Sequence, residues 1–429
     1  MFSMIRVATI ETSSQLASSF INSQRLWDRH MEMAKIGATP AGGVNRAALT
    51  ALDNDARALF TRWAKELGFP SSIDSMGNLF VRRPGLDLDA APVMSGSHLD
   101  TQPSGGRFDG IYGVLCALEA LQAIDAAGVK TRRPIEAAVW TNEEGVRFQP
   151  GCMGSLGFTH PQRLEQLLEA KDDDGVTLRQ AVRTLKERIP EALEQPPHRP
   201  VAAFVEAHIE QGPVLEQSGN TIGIVSGIQG TRRFHVEITG EDAHAGTTPR
   251  ARRKDALSAA VAMVSALEAV FHDDPDDVTR FTVGAFNVKP NAESVVPGYV
   301  MFSIDFRQPD EAVIARLGDQ VETLCQRNAG RCDVRVTQTS RTPPIRFEGL
   351  VPDTILNVTQ QLNLSHMHIY SGAGHDAQHL FNICPTGMIF VPCKGGVSHN
   401  ESEYATPADL ADGARVLTDT LVQLANSPD

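Results

Sequence analysis

The chain has 429 residues, of which 41% are hydrophobic and 21% charged, and its formal net charge is −13 at pH 7. This length predicts two or three domains and a large buried core. The negative charge argues against nonspecific attraction to nucleic acid or to an anionic membrane surface, although the local field of a site could still favour an anionic substrate.

The chain begins with MFSMIRVATIETSSQ, which lacks the long apolar core of a signal peptide. No apolar run approaches membrane-spanning length. The six cysteines include no C-x-x-C pair and are typical of scattered buried thiols in a reducing compartment. We therefore expect a soluble cytoplasmic protein that binds neither membrane nor nucleic acid.

Helix and strand patterns alternate in the first half of the chain. In chain order we predict a helix at 45–68, strands at 78–83 and 92–98, a long apolar helix at 110–127, and β-rich runs at 134–145 and 200–212. Near-continuous apolar strands that alternate with helices predict a mostly parallel sheet in an α/β domain. Ligands of such sheets bind at the carboxyl ends of the strands.

The segment from 228 to 345 follows a different pattern. Its elements come in the order β-α-β-β-α-β, with one strand predicted over 279–288, and this order predicts a separate α+β domain. The later segments, including a helix at 407–425, would return to the first domain. We therefore predict a discontinuous domain of residues 1–227 and 346–429, with residues 228–345 inserted into it.

Imidazole and carboxylate side chains recur at the predicted strand ends and in glycine-rich loops. These candidate ligands are His98, Asp109, Glu144, His208 and His399. Their mixture suits zinc and similar divalent ions, including manganese, cobalt and nickel. Taken singly, each residue is more often an ordinary surface or core group, and only the shared location favours one site. Asp109, set between glycines in GGRFDGIYG, could bridge two ions held about 3.5–4 Å apart.

Two further acids suit supporting roles. Asp100, two residues after His98, could accept the second ring N–H of a ligand histidine. Glu143 precedes Glu144, so that one glutamate can bind metal while the other activates water as a general base. The residue types alone leave open which glutamate has which role.

Six motifs together resemble one known family. They are GSHLDTQPSGGRFDGIYGV, TNEEGVRFQPGCMGS, EAHIEQGPVLE, DAHAGTTP, SGAGHDA and GVSHNESEY. From about residue 20 to the C-terminus, the chain is similar to the hydantoinase/carbamoylase branch of the dinuclear metallo-aminoacylase and carboxypeptidase family. This branch contains N-carbamoyl-L-amino-acid hydrolases, bacterial β-ureidopropionases and allantoate amidohydrolases. The resemblance implies a catalytic α/β domain, an inserted lid domain used for dimerisation, and a homodimer.

The resemblance also implies which residues hold two divalent metal ions in each subunit. Asp109 would bridge the ions, with His98 and His208 on the first and Glu144 and His399 on the second. Related peptidases often have a carboxylate at the position of His208. A histidine there favours an amidohydrolase over a peptidase.

Three residues would act on the reacting atoms or support them, according to the resemblance. Glu143 matches the family's general base, and Asp100 matches the acid that supports it. His244 in DAHAGTTP resembles the lid histidine that reaches into the site of the other subunit and polarises the scissile carbonyl. Dimerisation would then be required for activity.

The resemblance further assigns residues to the substrate. Arg307 matches the arginine that binds the substrate carboxylate, for which a bidentate guanidinium is well suited. Gln211 and Arg233 match other positions on the substrate side. The branch commonly has an asparagine where this chain has Ser294, and a serine lacks the carboxamide that both donates and accepts. Asn291, three residues earlier, is the alternative source of a carboxamide.

We therefore expect a two-metal amidohydrolase that cleaves the carbamoyl C–N bond of an N-carbamoyl amino acid, releasing the amino acid, ammonia and carbon dioxide. Allantoate, another ureido acid or an N-acyl amino acid are alternative substrates for the same class of enzyme. A non-catalytic binding protein of this fold is a different reading, and it predicts lost metal ligands or a lost Glu143. A periplasmic solute-binding protein would need an export signal.

Overall fold

The computed structural model describes residues 16–275 and 277–428. The segment used for the prediction about a signal peptide, residues 1–15, lies outside the described residues. The α-helices are α1 (Ser23–Met33), α2 (Ala51–Glu66), α3 (Ile111–Ala126), α4 (Met153–Thr159), α5 (Leu164–Leu168), α6 (Leu178–Arg188), α7 (Val214–Ser218), α8 (Ala256–Phe271), α9 (Glu311–Arg327), α10 (Leu350–Gln361), α11 (Ala377–Leu380) and α12 (Pro407–Asn426).

The strands run along the same chain. They are β1 (Ser71–Ile73), β2 (Leu79–Arg83), β3 (Val93–His98), β4 (Ile135–Trp140), β5 (Leu193–Glu194), β6 (Ala203–Ile209), β7 (Ile222–Ile228), β8 (Gly230–Thr239), β9 (Ala243–His244), β10 (Arg280–Thr282), β11 (Phe286–Lys289), β12 (Val295–Val296), β13 (Tyr299–Gln308), β14 (Asp333–Thr342), β15 (Ile345–Arg346), β16 (His366–Ser371) and β17 (Thr386–Val391). No helix among the described residues is long and apolar enough to cross a bilayer.

The described chain divides into two compact units. The first contains residues 16–225, 347–368 and 375–428, and the second contains residues 226–346, apart from 276, and 369–374. The short segment 369–374 belongs to the second unit, although no sequence pattern assigned it there. The predicted division at 227/228 and 345/346, and the predicted catalytic and dimerisation roles of the two parts, remain predictions.

The first unit is built on a largely parallel sheet with strand order β7-β17-β6-β3-β4-β2-β1-β5. Its centre consists of four parallel strands, β17, β6, β3 and β4. Every residue of these four strands is buried, which explains their near-continuous apolar sequences. The mostly parallel α/β fold predicted from the sequence is confirmed.

Small residues allow the elements of this unit to approach closely. A Cβ atom on Gly96 in β3 would lie 2.0 Å from the carbonyl oxygen of Ala138 in β4. A Cβ atom on Gly113 in α3 would lie 2.4 Å from the carbonyl oxygen of Ala207 in β6. The buried helix α3 therefore packs directly onto the centre of the sheet, and its first turn lies beside the strand ends.

The helix predicted at 45–68 begins later than its spacing indicates. Leu49 has a φ of 56°, in the left-handed region, so it cannot extend a helix toward the N-terminus. Thr50 follows as the N-cap, and its side chain accepts a hydrogen bond from the backbone N–H of Asp53. The helix α2 therefore covers only Ala51–Glu66.

The second unit contains an antiparallel sheet with strand order β10-β13-β8-β14, in which β11 also pairs with β13. Buried and half-buried residues alternate along β13, because its apolar face packs against α8 and α9. The single strand predicted over 279–288 is wrong. Between Thr282 and Phe286 the chain carries one residue more than its partner, and this bulge divides it into β10 and β11.

Candidate active site

The parallel strands bring the candidate ligands of the first unit to one edge of the sheet. His98 is the last residue of β3, His208 lies near the end of β6, and Glu144 follows β4. Because these strands are parallel neighbours, their carboxyl ends meet at the same edge. Asp109 lies in the loop before α3, and His399 lies in the loop after β17.

Asp109 belongs to two groups of potential metal ligands. One consists of His98, Asp109 and His208, the other of Asp109, Glu144 and His399, and within each group the ligand atoms lie within 4.8 Å of one another. Its Oδ1 lies 3.2 Å from Nε2 of His208 and 4.0 Å from Nε2 of His98. Its Oδ2 lies 3.1 Å from Nε2 of His399. The two oxygens of one carboxylate therefore face different groups.

Backbone hydrogen bonds orient two of the histidine rings. Nδ1 of His98 lies 2.8 Å from the carbonyl oxygen of Asp100, and Nδ1 of His208 lies 2.9 Å from that of Ile209. A carbonyl oxygen can only accept, so each Nδ1 carries a proton and donates. In the neutral ring Nε2 carries a lone pair that can bind a cation, and in His208 this lone pair accepts a hydrogen bond from the backbone N–H of Gly110 at 3.2 Å. When Nε2 of His208 is protonated, it donates to Oδ1 of Asp109 instead.

These donor atoms fit a dinuclear metal site. Imidazole nitrogens and carboxylate oxygens are ligands of zinc and related divalent ions. Burial acts to raise the pKa of the Asp109 carboxyl, but hydrogen bonds with His208 and His399 hold that pKa well below its usual range. Asp109 is therefore ionised, which is the state that a bridging carboxylate needs.

Glu143 lies against the first ligand group. Its Oε2 is 3.5 Å from Nε2 of His98, and the thiol of Cys152 lies 3.2 Å from its Oε1. The side chain is only 11% exposed. Burial raises the pKa of the Glu143 carboxyl well above its usual range, and the neighbouring carboxylate of Asp376 acts in the same direction. A raised pKa suits a carboxyl group that takes up a proton and returns it.

Asp100 supports this region differently from the way its position predicts. The ring N–H of His98 meets the backbone carbonyl of Asp100, while the Asp100 carboxylate lies 3.9 Å from the same nitrogen. The carboxylate instead accepts hydrogen bonds from the backbone N–H groups of Glu143 and Glu144 at 3.3 and 3.2 Å. Asp100 therefore holds the turn that carries both glutamates.

Gln211 also lies at this edge of the sheet. Its side-chain Nε2 donates to Oδ2 of Asp109 and to Oγ of Ser398, both at 3.1 Å. It thus contacts the shared carboxylate directly. Its predicted contact with substrate remains a prediction.

The remaining predicted residues lie in the second unit. Arg233 donates to Oδ2 of Asp305 at 2.8 Å, and Arg307 donates to Oδ1 of the same carboxylate at 3.2 Å. Both arginines line a cavity of about 540 Å³ on the exposed face of the sheet. Asn291 and Ser294 are exposed residues in the turn before β12. The roles predicted for these four residues stay predictions.

His244 pairs through β9 with Val295 of β12. Its Nδ1 accepts hydrogen bonds from the backbone N–H groups of Gly246 and Thr247 at 3.0 and 3.2 Å. The ring proton is therefore on Nε2, which can donate outward from this exposed side chain. In this tautomer, Nε2 can donate a hydrogen bond to a carbonyl oxygen. The role predicted for His244 stays a prediction.

Sequence reasoning gave no role to three buried residues of this region. Glu206 and His375 form a third group of possible ligands with His208. Glu403 accepts hydrogen bonds from the loop that carries Asp109. His375 and Glu403 are in the quoted motifs SGAGHDA and GVSHNESEY, so the motifs pointed to the segments but not to these side chains.

Comparison with known proteins agrees with this geometry. Residues 94–423 match the family described as peptidase family M20/M25/M40. The chain is 40% identical to an N-carbamoyl-L-amino-acid amidohydrolase of Rhizobium meliloti, over 94% of this chain and 97% of that protein. It is 34% identical to an allantoate amidohydrolase of Bacillus subtilis, over 92% of this chain and 95% of that protein.

A solved structure is similar to this chain in both sequence and fold. The amidase of the hydantoinase/carbamoylase family from Burkholderia multivorans is 44% identical and superposes with a TM-score of 0.91, covering 95% of this chain and 99% of that one. The family match spans every residue of the two ligand groups. The chain therefore belongs to peptidase family M20/M25/M40, as a metal-dependent amide hydrolase similar to the hydantoinase/carbamoylase amidases.

Proposed function

We propose that the chain hydrolyses the carbamoyl C–N bond of an N-carbamoyl amino acid. The observation that carries this proposal is the arrangement around Asp109, whose two oxygens face separate ligand groups while Glu143 lies against one of them. The names of the relatives supply the substrate class. The expected products are the amino acid, ammonia and carbon dioxide.

The two ligand groups identify which residues would hold metal ions. His98 and His208 would hold the first and Glu144 and His399 the second, with Asp109 on both. When bound, such ions polarise a carbonyl oxygen and acidify water. We propose zinc as the resident metal, with manganese, cobalt or nickel as the alternatives to be distinguished by metal analysis.

The side chains of this chain would then handle the proton and the substrate. Glu143 accepts a proton from the attacking water as the new C–O bond forms, and donates it to the leaving nitrogen as the C–N bond breaks. The carbamate so released decomposes to ammonia and carbon dioxide. Arg307 binds the substrate carboxylate, while Gln211, Arg233 and either Asn291 or Ser294 contact other parts of the substrate.

The proposal includes a homodimer. His244 of the partner subunit would donate its Nε2 proton to the scissile carbonyl oxygen, since its Nδ1 is already occupied by two backbone N–H groups. The cytoplasmic location predicted from the sequence stays a prediction.

Substrate profiling tests the proposed function. The metal-reconstituted protein is assayed for ammonia release from N-carbamoyl-α-amino acids, N-carbamoyl-β-alanine and allantoate, and for amine release from N-acetyl amino acids. We expect turnover of an N-carbamoyl amino acid that falls by about 10²–10⁴-fold in Glu143→Gln. Glu187→Gln, a change in an exposed acid, is the matched control. Metal-loaded protein that is silent on every ureido compound would contradict the proposal.

Allantoate is the second candidate substrate. The 34% identity to the allantoate amidohydrolase of Bacillus subtilis supports it. Preferred turnover of allantoate in the same assay would select this candidate and leave the role of Glu143 unchanged.

A further inference from the structure

A buried carboxylate connects the two loops on which the metal ligands are carried. Glu403 is 1% exposed and lies four residues after His399. Its Oε1 accepts hydrogen bonds from the backbone N–H groups of Phe108 and Asp109 at 2.9 and 3.0 Å. Its Oε2 accepts from the hydroxyl of Ser398 at 2.9 Å. One side chain thus holds the backbone at Asp109 and the residue that precedes His399.

The Asp109 loop is shaped around this carboxylate. A Cβ atom on Gly106 would lie 2.0 Å from Cδ of Glu403, so only glycine permits the approach. Phe108, whose N–H also reaches Glu403, is fully buried against the core. The loop is therefore fixed on one side by packing and on the other by Glu403.

The connection continues to the side chain of Asp109. Ser398 Oγ accepts a hydrogen bond from Gln211, and Gln211 donates to Oδ2 of Asp109. Backbone and carboxylate of Asp109 are consequently held by one closed network that includes Glu403. Glu403 contacts the loop of Asp109 and, through Ser398, the loop of His399. Asp109 belongs to both ligand groups and His399 to one of them. A displacement of Glu403 would therefore disturb ligands of both groups.

The acidic character of Glu403 bears on its role. Glu403 places a second acidic group beside the Asp109 carboxylate in a region closed to water, and burying acids together is unfavourable. A neutral side chain could cap the same backbone N–H groups without that penalty. Divalent cations at the two ligand groups would offset it.

We propose that Glu403 is a positioning residue that sets Asp109 and His399 for metal retention. It touches neither the reacting atoms nor a ligand atom of the second group directly, and it acts through the backbone of Asp109 and through Ser398. This inference rests on the proposed two-metal function. Its test needs no substrate, so its failure is separable from failure of the substrate assignment.

Metal retention is measured in Glu403→Gln and Glu403→Ala. Each protein is loaded with Co²⁺, dialysed against a weak chelator and analysed for bound metal and for its visible absorption spectrum. We expect about 10–100-fold weaker binding in Glu403→Ala, as for other residues that orient metal ligands. Glu403→Gln, which keeps one oxygen for the two N–H groups but turns an amide toward Ser398, should weaken binding less and alter the spectrum.

Glu401→Gln is the matched control. Glu401 lies two residues away in the same loop and accepts a hydrogen bond from Thr39, outside the ligand network. Thermal unfolding of the metal-free proteins reports whether each variant folds, and if Glu403→Ala does not, Glu403→Gln decides. Wild-type metal affinity and spectrum in the folded Glu403 variants, or an equal loss in Glu401→Gln, would overturn the proposal.

Discussion

At the scale of single residues, the orientation of Asp109 organises the site. Its Oδ1 faces His208 and its Oδ2 faces His399, which is possible because Gln211 and Glu403 hold its side chain and backbone. The sequence identified Asp109 as a candidate bridge from its glycine-rich surroundings. The division of its two oxygens depends on residues about 100 and 290 positions away, which no local pattern contains.

The first prediction concerns metal stoichiometry. We expect Asp109→Ala to retain neither ion after dialysis, because both ligand groups share this carboxylate. Glu144→Gln should retain the first ion and lose the second. Elemental analysis of the purified proteins measures the effect, with Asp55→Asn, a change on the surface, as the control. Two retained ions in Asp109→Ala would contradict the bridging role.

At the scale of elements, the connection from β3 to α3 couples the sheet to the ligands. Gly110, the N-cap of α3, has a φ of 69°, and a Cβ atom there would lie 2.3 Å from the ring of His98. The last residue of β3 and the first turn of α3 therefore have to fit each other. The helix and strand were predictable from hydrophobic runs, whereas this close approach follows from their packing.

The second prediction tests that fit. Gly110→Ala should displace the His98 ring and weaken metal binding by at least about tenfold. In addition, the positive φ should lower the folding stability by about 1–2 kcal/mol through backbone strain. Gly128→Ala is the matched control, because Gly128 also has a positive φ of 66° but no neighbouring atom within 4 Å of the added Cβ. Isothermal titration with Zn²⁺ compares the two, and equal affinities would show the contact to be unimportant.

The packing of α1 leads to a third prediction, about stability and pH. His30 is fully buried beside Phe108 and Tyr112, and its Nδ1 donates to the carbonyl of Leu26. Burial lowers the pKa of His30 to about 4. The unfolded chain binds a proton below pH 6.5 while the folded chain does not, so the free energy of unfolding decreases as pH falls from 6.5 toward 4.

Urea denaturation of the metal-free protein measures this effect. Between pH 7 and pH 5 the loss of unfolding free energy should be about 2 kcal/mol larger in wild type than in His30→Gln, which cannot acquire a charge. Gln keeps a donor for Leu26, and His272→Gln, a change in an exposed histidine of the second unit, serves as control. Identical pH dependence in wild type and His30→Gln would contradict the buried neutral state.

At the scale of the whole molecule, the predicted site residues are divided between two compact units. His98, Asp109 and Glu143 are in the first, whereas His244 and Arg307 are in the second. If His244 serves the site of the other subunit, then two inactive variants can complement each other. A subunit with an intact Glu143 would receive its histidine from a partner with an intact His244.

The fourth prediction is this complementation. Glu143→Gln and His244→Ala are each expected to be inactive. Their purified heterodimer should have about half of the wild-type activity, because one of its two sites is complete, and an unsorted random mixture should have about a quarter. The variants are co-expressed with different tags, and the heterodimer is purified and assayed with N-carbamoyl amino acids. An inactive heterodimer of confirmed purity would contradict the transfer of His244 between subunits. His244 would then act in the site of its own subunit or take no part in the reaction.

The sequence by itself determined the alternation of strands and helices, the mostly parallel sheet and the chain positions of the ligand residues. These features follow from local hydrophobic periodicity and from motifs such as GSHLDTQPSGGRFDG and NEEG. The family match agrees with them. His98, His208 and Glu144 could be assigned to one edge because parallel strands end together.

Only the tertiary structure decided how these residues act on one another. It directed the ring N–H of His98 to the carbonyl of Asp100, divided the strand predicted over 279–288 by a bulge, and placed Glu403 under the Asp109 loop. Each of these outcomes depends on contacts between residues on different elements. Hydrogen-bond direction and close packing are set when the elements meet, and local periodicity carries no information about either.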